Sequence, residues 1–156
     1  MTRRFVFVAL LAAALALPAL AGAQPANFSG KWIQDMEKSD PMGGGRGPAG
    51  PQTVTITQTA TELTLERETP NGVMKTVYKL DGSPSVNPGG RGGEITSTSA
   101  WEGSKLVTKY TRTMGQNSME VVETRSLEAD GTLLLVTAMK GGPMGDTTRK
   151  TVFKKS

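Results

Sequence analysis

The chain of 156 residues contains no histidine and no cysteine. Without an imidazole it lacks the commonest general base, the usual activator of a nucleophile and the usual metal ligand. Without a thiol it has no thiolate nucleophile, no thiolate metal site and no disulfide, so stability rests on packing and hydrogen bonds. Hydrolytic triads and zinc centres are excluded with them. Asp and Glu stand mostly singly among Lys, Thr and Ser, and the D-x-D spacing of a calcium loop is absent. Only carboxylate acid/base chemistry is left, and the reading is of a protein that is not an enzyme and takes no metal and no cofactor. Aromatic residues make up 5% of the chain, and neither sign of charge dominates. The net charge of +4 falls to +2 once Arg3 and Arg4 are set aside with the leader described below. A scattered surplus of that size argues against nucleic acid.

One long apolar run is present. Arg3 and Arg4 precede "FVFVALLAAALALPAL", and small residues follow at Ala21 to Ala23. Basic, apolar and small-residue segments in that order predict a signal peptide over residues 1–23, cleaved near Ala23. The run is short of the ~20 residues a spanning helix needs, Pro18 interrupts it, and no second apolar segment follows. The expectation is an exported protein, periplasmic or secreted, monomeric and with no stable membrane insertion. Residues 24–156 then form a single domain, long enough to bury a core of its own.

Within that domain the pattern has a period of two. "TVTITQ" at 53–58 puts Val54 and Ile56 on one face and threonines on the other, and "ELTLER" at 62–67 does the same with Leu63 and Leu65. "MKTVYKL" at 74–80, "EITSTSAW" at 94–101 and "SKLVTKYTR" beyond a tight turn at Glu102 to Ser104 continue it. "SMEVVETRSL" at 118–127, "TLLLVTAM" at 132–139 and "TTRKTVFKK" at 147–155 complete it. With the opening "NFSGKWIQDMEKSD" at 27–40 these make nine candidate strands, and no window reads as an amphipathic helix. The prediction is an all-β antiparallel meander of about eight or nine strands, closed into a barrel because closure leaves no long unpaired edge. Gly/Pro-rich segments at 41–51, 84–93 and 140–146 are read as loops. None precedes a helix, which a phosphate-cradling loop requires.

Polar residues carried on the apolar parity are the candidate ligand contacts. Arg67 continues Leu63 and Leu65; Arg112 continues Leu106 and Tyr110; Glu123 and Arg125 continue Met119 and Val121. Inward guanidiniums would receive the acidic head of a ligand, and strand ends emerging into water would need no ligand at all. Tyr78, Trp101 and Tyr110 are the aromatic candidates for the same site. Trp32 is assigned to the core, where its large side chain is buried best.

"FSGKW" followed by "EKSDP", then "AWEGSKLV", "SLEADGTLLLV" and a final "TVFKK", resembles the small exported bacterial lipocalin-like (calycin-type) β-barrel domains, a group with no assigned function. The resemblance implies that Gly30 and Trp32 close one end of the barrel, with Arg149 as the partner of Trp32. Against the related fatty-acid-binding proteins, the Gly/Pro loop 41–51 stands where they carry a helical lid. Thr151 and Phe153 stand where their last strand presents Arg and Tyr to a carboxylate. Two functions follow as expectations: binding of a small apolar or amphipathic ligand inside the barrel, or, with a fully packed barrel, interaction with a protein partner through the loops. An outer-membrane barrel would show aromatic girdles, and the sequence has none.

Overall fold

Alternation of side chains is what rolls the chain up. In most strands one parity is predominantly apolar over part of its length, and burying that face against the same face of other strands closes the sheet. The computed structural model describes residues 24–41, 50–89, 93–115, 117–142 and 145–156; the leader reading on residues 1–23 lies outside them. Ten strands run in order: β1 Gly30–Asp35, β2 Thr53–Gln58, β3 Glu62–Thr69, β4 Gly72–Lys79, β5 Asp81–Pro88, β6 Glu94–Glu102, β7 Lys105–Met114, β8 Asn117–Leu127, β9 Leu133–Lys140 and β10 Thr147–Lys155. They form one antiparallel sheet in the order β4-β3-β2-β1-β10-β9-β8-β7-β6-β5.

One end is closed by aromatic residues. Trp32 is 1% exposed, its indole N–H donates to the Phe28 carbonyl at 2.8 Å, and the Phe28 ring stacks on Trp101 at 5.7 Å. Leu63, Leu80, Leu106 and Leu133 pack into the same cluster. Gly30 turns the chain into β1 with φ +141°, a backbone conformation that calls for glycine, and the Lys155 side chain lies over it. Trp32 stands opposite Lys155, whose ammonium lies 5.6 Å from the indole centroid. The partner of Trp32 is therefore Lys155 and not Arg149. β10 runs towards the closed end, which leaves Arg149 six residues away, in the opposite half of the barrel.

The segment 84–93, expected to be a loop, is for its first five residues part of β5. Pro84 and Pro88 are tolerated because β5 is an edge strand, where a missing N–H breaks no ladder on the free side. The free edges of β4 and β5 meet, and among the described residues side chains rather than a backbone ladder join them. The Asn87 carboxamide accepts from the Val77 N–H at 2.7 Å and donates to the Val77 carbonyl at 2.8 Å, and Ser85 Oγ accepts from the Lys79 N–H at 2.8 Å. Replacing Asn87 by Ala leaves both Val77 groups without partners. We expect a loss of about 1–3 kcal/mol, read from urea unfolding, and accelerated hydrogen exchange at the Val77 amide ahead of the rest of the sheet.

Candidate functional site: a polar half-barrel

Strand direction sorts the interior into two halves. β3, β5, β7 and β9 start at the closed end, whereas β2, β4, β6, β8 and β10 finish there. Further towards the closed end Val54, Ile56, Leu65, Leu133, Leu135 and Phe153, with Arg67 and Arg125, line a void of only about 10 Å³. That is room for one water at most. Towards the other end the same parity brings in Arg67, Tyr110, Arg112, Glu123, Thr137, Arg149 and Thr151, and there a cavity of about 290 Å³ opens. Val121, Leu135, Met139 and Phe153 supply its apolar wall.

Between the halves lies a buried polar network. Arg125 is 2% exposed; its guanidinium is bonded to Glu123 at 2.5 Å and to Thr108 Oγ1 at 3.4 Å, and it lies 5.3 Å from the Tyr78 ring centroid. Thr108 continues to Ser99 at 2.8 Å, and the Tyr110 hydroxyl donates to the second Glu123 oxygen at 3.0 Å. Burial by itself raises the Glu123 pKa, but the charges of Arg125 and Arg67 and the hydrogen bonds from Arg125 and Tyr110 outweigh it and hold the carboxyl below its usual range. Burial and the Glu123 charge push the Tyr110 phenol well above its ordinary value. Burial raises the Tyr78 phenol also, against the opposing charge of Arg125.

The sequence candidates therefore part company. Arg67, Tyr110 and Arg112 lie on the cavity wall. Arg125 does not: it is two residues deeper along β8 than Glu123 and its charge is already matched. Tyr78 belongs to the same network, and Trp101 is part of the closed-end plug. Arg149, given a closing role by the resemblance, stands on the cavity wall instead, together with Thr137, Thr151 and Gln52. Its parity with Thr151 and Phe153 on β10 was the available signal. Two polar atoms on this wall are unmatched: the Nε–H groups of Arg67 and Arg149 are buried and have no acceptor among the described residues. No group of His, Cys, Asp or Glu that could hold a metal occurs among the described residues.

The nearly closed ten-stranded meander has known counterparts. The fold is a calycin-type barrel. A zebrafish ileal bile acid-binding protein complexed with cholic acid superposes with a TM-score of 0.63 at 18% identity, over 83% of this chain and 98% of that one. A REP1-NXSQ fatty acid transporter gives 0.61 at 16% identity, over 82% and 95%. Lipid binding protein 8 of Caenorhabditis elegans, in its apo form, gives 0.61 at 17% identity, over 83% and 95%. Neither a family model nor a curated protein matches the chain. At these identities the likeness concerns the fold, and the interior side chains have to be read on their own terms.

Proposed function

We propose that this protein is an exported, monomeric, non-catalytic barrel that binds a small amphipathic molecule in the polar half of its interior. The observation that carries this reading is the cavity of about 290 Å³, in which Arg67, Arg112 and Arg149 face an apolar wall of Val121, Leu135, Met139 and Phe153. A ligand with an acidic group and a short apolar part fits both surfaces. Its acid would take charge-assisted hydrogen bonds, each worth roughly 1.5–3 kcal/mol in a buried setting. The cavity lies at the lower end of the ~300–1,000 Å³ of small-molecule sites. The printed names of the structural neighbours, a bile acid-binding protein, a fatty acid transporter and a lipid-binding protein, agree in kind. The alternative of a fully packed barrel working through its loops draws on the filled closed end, but leaves the cavity without a use.

The test is native mass spectrometry with octanoate as probe, on the wild type and on Thr137→Phe. Thr137 is 8% exposed on the cavity wall, and a phenyl ring there fills the space. We expect a one-to-one complex with the wild type, and none with a variant whose circular dichroism and thermal melt remain those of a folded barrel. Absence of a complex with octanoate, with other small amphipathic acids and in protein taken from its own source would overturn the proposal in favour of the packed barrel.

A further inference from the structure

Resting on that reading, we propose that the ligand's acidic group is a doubly charged oxyanion, a phosphate monoester or phosphate itself, held between Arg67 and Arg149. Charge balance on the cavity wall leads there. Five ionised groups belong to this part of the barrel: Arg67, Arg112, Arg149, Arg125 and Glu123. Arg125 and Glu123 neutralise each other. Glu123 is the single carboxylate on the wall among the described residues, so no acid is left for the other three guanidiniums. Arg112 is exposed and screened by solvent, whereas Arg67 and Arg149 are half-buried and each carries a buried Nε–H without an acceptor. A monocarboxylate would leave one of these two positive charges uncompensated in a place where water screens it poorly. A dianion matches both, and its three free oxygens offer acceptors to two guanidinium forks, a geometry to which Arg is suited.

Size points the same way. Between the cavity and the closed end, the void bordered by Val54, Ile56, Leu65 and Leu133 measures only about 10 Å³, too little for a long hydrocarbon chain to pass that way. The apolar part of the ligand is short enough to lie within the cavity of about 290 Å³. Gln52, Thr137 and Thr151 stand on the same wall as additional polar partners.

A phosphate monoester takes its second charge with a pKa of about 6, which makes the proposal readable by pH. Among the protein's own groups facing the site, Glu123 is held below the usual carboxylate range and Tyr78 and Tyr110 are raised above the usual phenol value, and the chain has no histidine.

Isothermal titration of the purified protein with octyl phosphate, octanoate and inorganic phosphate at pH 5 and pH 7.5 tests it. At pH 7.5 octyl phosphate is expected to bind about tenfold more tightly than octanoate, the worth of one further charge-assisted hydrogen bond. Its affinity should fall about tenfold at pH 5, where the phosphate is mostly singly charged, while that of octanoate, a carboxylate partly protonated there, falls by no more than about twofold. Arg67→Gln and Arg149→Gln, checked for folding by thermal melts, should each bring the two ligands to similar affinity and flatten the pH profile. Inorganic phosphate binding as tightly as octyl phosphate, with the same pH profile, assigns the site to the free ion; much weaker binding assigns it to an ester. Equal affinities for octanoate and octyl phosphate, or a level pH profile for the phosphate, would overturn the dianion and leave the ligand-binding barrel standing. No binding of any of the three would overturn both.

Discussion

Replacing Glu123 by Gln is expected to destabilise the barrel by about 3–5 kcal/mol, because it strands a guanidinium in the interior. Arg125 is 2% exposed, and its close charged partner is Glu123. Glutamine keeps the shape and can still accept one hydrogen bond, so the measured loss reports the charge rather than the packing. Equilibrium urea unfolding of Glu123→Gln, of Arg125→Met and of the double variant Glu123→Leu/Arg125→Met separates the terms. The two single variants should be costly and the double one much closer to wild type, since removing both charges leaves no buried ion unpaired and costs the Tyr110 hydroxyl its acceptor. A near-additive double variant would mean that the pair is incidental. The sign with pH follows. Glu123 is held below its unfolded value, so its contribution is complete above the ordinary carboxylate range and is lost as pH falls through the folded value. The tyrosines act at the opposite extreme: their raised values contribute below the ordinary phenol pKa, and that contribution is lost as pH rises beyond it.

The second large effect is expected at the closed end. Trp32→Ala removes a side chain that is 1% exposed and should cost about 3–5 kcal/mol. Phe28 and Trp101 would then stack beside a hole. Trp32→Phe retains most of the burial but withdraws the indole N–H from the Phe28 carbonyl. Its smaller cost, about 1–3 kcal/mol, isolates the hydrogen bond. Both are checked by urea unfolding, and a Trp32→Ala variant as stable as Trp32→Phe would show that the plug is not what holds this end together.

Parity along the sequence reveals which face a residue occupies, and for this chain it found the interior. Val54 with Ile56, Leu63 with Leu65, Leu106 with Tyr110 and Val121 with Glu123 all lie on the side the alternation predicts. Depth along the barrel is a different matter, because it depends on strand direction and register. Arg112 near the tip of β7 and Arg125 near the inner end of β8 look alike in sequence, yet one meets solvent and the other is sealed. Arg149 was assigned by analogy to the end of β10 that Lys155 occupies. The part of β5 from Pro84 to Pro88 reads as a loop in the sequence because Pro84, Asn87 and Pro88 are poor strand formers. Its position at an open edge, where Asn87 and Ser85 replace the missing ladder, is a tertiary fact that no local pattern contains.

Seen as a folding problem, the strand order has an asymmetry of its own. Every ladder except one joins strands that follow each other in the chain, and the exception is β1 with β10, which pairs Trp32 with Lys155 and Asp35 with Val152. Two ribbons, β1–β4 and β5–β10, can therefore grow hairpin by hairpin from local contacts, each at little cost in loop closure. Joined through Leu80, they meet at one long-range pairing on one side and, on the other, among the described residues, through the side-chain bonds of Asn87 and Ser85. The slow step belongs to β1 finding β10. The seam between β4 and β5 is local in the chain, with Leu80 alone between the two strands and bonds that span ten residues or fewer, so it need not wait for that pairing.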